Sequence, residues 1–168
     1  MAPSVKETQQ TITYRSGRLR LGLAATPAGL RQVQWLRPRE TWPDSPGNAA
    51  TERVLRSVAK ALDRYFSGSG LRYRFDLDLH GISPFRRRVM ETLVQLVPPG
   101  QVVTYGELAL LAGRAGAARA VGTTMSRNPL PIFVPCHRVV AASGPGGFGP
   151  GLQRKRDLLA LEGYKLAI

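Results

Sequence analysis

A chain of 168 residues at 18.3 kDa has room for one ordinary domain or two small ones, which excludes a large modular assembly. With 43% hydrophobic and 21% charged residues and a mean hydropathy of −0.15, the chain reads as soluble and globular, and no apolar run approaches the ~20 residues of a spanning helix. Twenty-four basic residues against eleven acidic give a net charge of +13, so polyanions are the expected partners, with a merely solvated basic surface as the alternative.

The polar opening Met1–Glu7 lacks the apolar stretch of a secretory signal, so a cytoplasmic protein is expected. Thr11–Arg15, Leu19–Leu23 and Leu30–Leu36 read as strands, the last two joined through the turn Thr26-Pro27-Ala28-Gly29. Arg37–Asn48, with three prolines and a glycine, reads as loop. Val54, Leu55, Val58, Leu62, Tyr65 and Phe66 recur at helical spacing. Phe75, Leu77 and Leu79 alternate with Asp76 and Asp78, which predicts a half-buried strand. Residues 1–82 therefore form a small N-terminal unit with an antiparallel sheet.

Residues 83–168 read as a second, mainly helical domain, making the fold class α+β. Ser83-Pro84 opens a helix with the apolar stripe Phe85, Val89, Leu93 and Leu96, and Ser83 is expected to cap it; Pro98-Pro99-Gly100 stops it. Thr104 and Glu107 have the spacing of a capping box, ahead of a helix through Leu108, Leu111 and Ala112. A second short helix spans about Ala117 to Arg127. This pair has helix-turn-helix spacing, although any helical hairpin would look similar. The second helix is built of small residues around one long polar side chain, Arg119. A major-groove reader needs several such side chains, so close backbone approach to DNA and tight internal packing both fit. The last helix runs from Leu152 to Leu161.

One cysteine cannot form an internal disulfide, and one thiol with two histidines argues against a structural zinc site, so no metal is expected. Cys136 lies beside His137 in Pro131-Ile132-Phe133-Val134-Pro135-Cys136-His137-Arg138-Val139. An inert buried thiol is one reading. The other is a nucleophile, because a neighbouring imidazole lowers a thiol pKa. In an extended segment adjacent side chains point apart, so contact between the two would need a turn or a bridging water.

Asn128-Pro129-x-Pro131 followed by Pro135-Cys136-His137-Arg138-Val139 resembles the active-site signature of the O6-alkylguanine-DNA alkyltransferases. The resemblance runs from about Ser83 to Gly163, through Tyr105-Gly106-Glu107-Leu108-Ala109, Ala117-Ala118-Arg119-Ala120-Val121-Gly122 and Leu161-Glu162-Gly163. It implies a ribonuclease H-like first unit and a helix-turn-helix in the second. The implied activity is one irreversible transfer of an alkyl group from O6-alkylguanine, and also from O4-alkylthymine, in duplex DNA to Cys136 after base flipping. No cofactor is implied.

The same resemblance assigns roles. His137 becomes the base that acts on the thiol through a water, and Glu162 orients it. Tyr105 donates a proton to the departing guanine, Arg119 fills the vacated stack, and Ala117, Ala118 and Gly122 lie along the minor groove. Asn128 is the turn residue before the active-site segment. Pro131, Val139, Phe148 and Gly149 wall the base pocket; Gly149 stands where some members carry a hydroxyl residue. Arg138 is expected to hold structure. The run Gly144–Gly151 lacks the Lys-Ser/Thr ending of a phosphate loop. The expected partner is double-stranded DNA, bound by a monomer able to cluster on it.

Overall fold

Apolar side chains between residues 10 and 35 fold as an antiparallel meander in a computed structural model, which describes residues 9–166. Strands β1 (Gln10–Ser16), β2 (Leu19–Thr26) and β3 (Gly29–Trp35) lie in that order, with Leu23 opposite Ile12 on one side and Val33 on the other. At the β2–β3 turn, Gly29 takes a φ of 139° and leaves no room for a Cβ against the Asp76 carbonyl. Only glycine serves there.

Helix α1 (Ala49–Phe66) covers this sheet with Leu55, Val58, Leu62 and Tyr65, the stripe its spacing predicts. Its cap lies at the end of the proline-rich loop. The Asn48 side chain accepts from the Ala50 and Thr51 amides, and the Thr51 hydroxyl accepts from the Asn48 amide, closing a reciprocal cap. The Tyr14 hydroxyl on β1 donates to Asp63 on α1 at 2.7 Å. Burial and this bond push the Tyr14 pKa up to about 12.

The strand expected at Phe75–Leu79 does not form. Leu77 makes a single parallel bridge to Leu30, through Leu30 N–H to Asp76 O and Asp78 N–H to Leu30 O. Pairing ends because Asp78 turns inward, 5% exposed, to accept from the Thr26 hydroxyl, the Arg31 guanidinium and the His80 amide. A side chain that takes up the next backbone donor competes with the ladder.

The chain divides into two compact units between His80 and Gly81. In the second, α2 (Pro84–Leu96) begins after Ser83, but the Ser83 hydroxyl makes no capping bond; the prolyl N–H missing from the first turn does part of that work. Val89, Met90 and Leu93 are the buried face, while Leu96 is 54% exposed. The stripe is rotated because α2 packs on both α3 (Tyr105–Leu111) and α4 (Ala118–Ser126). Strand β4 (Val103–Thr104) leads directly into α3 and pairs in parallel with β5 (Val139–Val140), Val103 opposite Val139. The capping box forms as expected: Thr104 Oγ1 accepts the Glu107 amide and the Glu107 carboxylate accepts the Thr104 amide at 2.8 Å. Leu108, Ala109 and Ala112 point inward, whereas Leu111, expected inside, is half exposed. Helix α5 (Leu152–Leu161) closes the unit. Among the described residues no helix is long and apolar enough to cross a membrane.

Candidate active site

Prolines at 129, 131 and 135 keep the segment after α4 out of regular structure, and residues 130–140 are all buried. Ile132 takes a φ of 76°, uncommon for a β-branched residue. The Val134 amide bonds back to Leu130 O at 2.8 Å, so the chain doubles on itself before Cys136. Asn128 braces that turn: its Nδ2 donates to Val134 O at 2.8 Å and its Oδ1 accepts the Leu130 amide at 2.9 Å. The Asn128 side chain also favours the Cys136 thiolate.

Cys136, His137 and Arg138 form a single 3-10 turn rather than an extended run. His137 is fully buried, and its Nε2 lies 2.8 Å from Glu162 Oε1. The carboxylate there selects the tautomer with the proton on Nε2, which leaves Nδ1 as the acceptor. Nδ1 is buried and has no hydrogen-bond partner among the described residues. Glu162, at the C-terminus of α5, is not the surface carboxylate that its helix alone would suggest: its side chain is 3% exposed. Arg138 forks onto it at 2.8 and 2.9 Å and donates a third bond to the Val97 carbonyl that ends α2. Arg138 thus holds structure.

Cys136, His137 and Glu162 each titrate away from their ordinary values. Burial pushes the Cys136 thiol up, against the Asn128 hydrogen bond, the Lys155 charge and the Cys136 and His137 backbone amides. Burial likewise drives the His137 pKa down, partly offset by Glu162. For Glu162 burial acts upward, but hydrogen bonds from His137 and Arg138 and their charges hold it down at about 2.

Sequence reasoning missed Lys155. It is fully buried on α5, with Nζ donating to Val139 O, at 2.6 Å, and Gly147 O, at 3.3 Å. Burial lowers its pKa to about 8, resisted by the Cys136 thiolate. The available signal was a lysine at the i+3 position of an apolar stripe, Leu152, Lys155, Leu158 and Leu159.

Tyr105, the first residue of α3, is half-buried. Burial raises its pKa, while the Gly147 amide hydrogen-bonds its oxygen and opposes the shift. Gly146 has a φ of 69°, and a Cβ there would come within 3.0 Å of the phenol oxygen, so glycine is what lets this loop close on Tyr105. Gly122 on α4 faces the same ring. The structure therefore gathers Cys136, His137, Glu162, Asn128 and Tyr105 around one turn. Val139 joins through its carbonyl, and Pro131 is buried in the preceding turn. Phe148 is half-buried, and exposed Gly149 has open space where a side chain would start. Arg119 is exposed on α4, with Ala117 at its N-cap and Ala118 and Gly122 partly accessible. Chemically, this is a buried thiol with a carboxylate-oriented base, a phenolic acid and a cation at hand.

Residues 84–164 match the family model described as the DNA-binding domain of 6-O-methylguanine DNA methyltransferase. The chain is 45% identical over 136 residues to a methylated-DNA–protein-cysteine methyltransferase of Mycolicibacterium paratuberculosis, covering 79% of this chain and 78% of that one. It is 48% identical over 114 residues to the protein of the same name from Mycobacterium leprae, covering 67% and 68%. Among solved structures it is similar to the O6-methylguanine methyltransferase of Mycobacterium tuberculosis, with a TM-score of 0.77 at 36% identity over 92% of each chain. The M. tuberculosis protein crystallised with DNA gives 0.75 at 38% identity, over 92% of this chain and 91% of that one.

Proposed function

Since the chain belongs to the methylated-DNA–protein-cysteine methyltransferases, a family of direct-reversal repair proteins that move an alkyl group onto a cysteine, we propose that Cys136 is its acceptor. The observation that carries this is the orientation of His137: Nε2 is committed to Glu162, which leaves the buried Nδ1 without a partner on the residue next in the chain to the described residues' only thiol.

In this reading a flipped O6-alkylguanine, or O4-alkylthymine, enters beside the Cys136 turn. The sulfur attacks the alkyl carbon in line, the carbon–O6 bond breaks, and its electron pair remains with the base. The thiol proton passes through a water to His137 Nδ1, and Glu162 stabilises the imidazolium. Tyr105 donates its phenolic proton to N3 of the departing guanine, so the base leaves neutral. A thioether has no hydrolytic exit, so each molecule acts once. Asn128 and Lys155 stabilise the thiolate on its way to the carbon. Phe148, Gly149, Pro131 and Val139 wall the base, and the space at Gly149 suits larger alkyl groups.

DNA is the partner, and we assign its approach to the minor groove. Ala117, Ala118 and Gly122 allow close contact there, and Arg119 fills the stack the base leaves. Helices α3 and α4 then serve as a helix-turn-helix, and the first unit as a reduced ribonuclease H-like fold. The protein acts in the cytoplasm as a monomer that can cluster on DNA. Incubation with a duplex carrying O6-methylguanine is expected to add one methyl mass to the peptide containing Cys136. An unchanged peptide with the lesion intact would overturn the assignment.

A further inference from the structure

In the first unit, α1 and the segment before Asp76 enclose an open cleft of about 300 Å³ that the alkyl-transfer reading does not use. Lys60 and Arg64 stand one turn apart on its helical wall, and Arg72 and Arg74 on the other. All four are exposed, and none has a carboxylate within ion-pair distance among the described residues. Arg64 donates to the Ser69 carbonyl at 3.3 Å. Tyr73 and Phe75 stack on each other, centroids 4.8 Å apart, and add an apolar lining. Ser57 and Ala61 keep the helical wall low, so a polymer backbone can come close. From 49 to 75 the sequence carries six basic residues against two acidic, and one of those acids, Asp63, is engaged by Tyr14.

Unpaired cations held close together repel one another, so such a cluster is stable where a polyanion comes to share it. We propose that this cleft is a second DNA contact, gripping one sugar–phosphate backbone between its two basic walls while the aromatic pair packs against the sugars. The guanidinium groups suit bidentate phosphate contacts, which position a duplex without reading its sequence. Binding there is independent of sequence and of damage. It rests on the reading above only in taking DNA as the partner.

The test uses the full chain and a short, lesion-free, fluorescein-labelled duplex, so that it does not depend on alkyl transfer. Affinity is measured against salt for wild type, for Lys60→Gln/Arg72→Gln, for Ser57→Lys, and for the control pair Arg15→Gln/Arg18→Gln. Each phosphate contact contributes a slope of about −0.9 in log affinity against log salt. The cleft pair should lose up to about 2 units of slope and Ser57→Lys should gain about 1, while the control moves by less than roughly half a unit. Transfer from free O6-benzylguanine should keep its wild-type rate in all three variants. Equal slopes in the cleft and control pairs, with none gained by Ser57→Lys, would overturn the assignment. So would loss of binding to a labelled poly-glutamate peptide in the cleft pair alone with the DNA slope kept, which would give the cleft to an acidic protein. Failure of wild type to demethylate a lesion duplex would instead strike the alkyl-transfer reading and leave these slopes standing.

Discussion

The charge of Lys155 opposes the burial that suppresses the Cys136 thiol. Burial favours the neutral thiol, while the Asn128 side chain and the buried Lys155 ammonium, whose pKa is about 8, favour the thiolate. Lys155→Met should therefore raise the Cys136 pKa further and slow transfer at neutral pH about tenfold, in proportion to the thiolate lost. The loss should shrink as pH rises and the thiol ionises unaided, which single-turnover rates between neutral and alkaline pH would check. A purely structural lysine would give a loss that is flat in pH. Glu162 yields a stability prediction. Its carboxyl, held at about 2 by His137 and Arg138, lies below the ordinary carboxylate range, so the stabilisation is fully present above about pH 4.5 and is lost as pH falls towards 2. Urea unfolding across that window should reveal a loss on the order of 2 kcal/mol that Glu162→Gln does not share. At neutral pH that variant should itself be destabilised by roughly 3 kcal/mol, because Arg138 is left buried without its carboxylate.

At the scale of elements, α3 matters because Tyr105 is its first residue and Thr104 its cap. Thr104→Ala should cost about 1 kcal/mol of stability and also slow transfer, since fraying of the first turn displaces the phenol; Thr104→Ser should restore both. Helix α4 raises a different question. If Arg119 fills the hole left by a flipped base, Arg119→Ala should slow transfer at saturating duplex far more than transfer from a free O6-alkylguanine base, which has no stack to leave. Equal small effects on the two rates would reduce it to a backbone contact. The helices were legible in the sequence because caps and stops are local: Thr104 with Glu107, Pro84, and Pro98-Pro99-Gly100 are read within a few residues. The Phe75–Leu79 strand was misread because alternation alone does not reveal that Asp78 folds inward to Thr26 and Arg31. Leu96 and Leu111 were misplaced for a related reason: the face a helix buries is set by its neighbours.

For the whole molecule, attraction to DNA and reaction with it rest on different atoms. The net charge of +13 is divided almost evenly, +6 over residues 1–83 and +7 over 84–168, while the proposed acceptor and base, Cys136 and His137, share one turn. Cys136→Ser should accordingly abolish transfer yet hold duplex affinity within about twofold, since no phosphate contact is removed; band-shift titration beside a transfer assay would check it. The site itself was legible in part. Cys136, His137, Tyr105 and Asn128 stand out by type and order, but the burial of Lys155 and the Arg138 tether to Val97 depend on elements far apart in sequence. That distance has a consequence for the nascent chain. The bonds that orient His137 and anchor Arg138 close loops of 25 and 41 residues, and long loops close late, after local helices have formed. Until α5 docks, the cysteine is an ordinary thiol without its base. Reactivity toward O6-benzylguanine is then a clock for folding, one that starts only when the last helix has found its place.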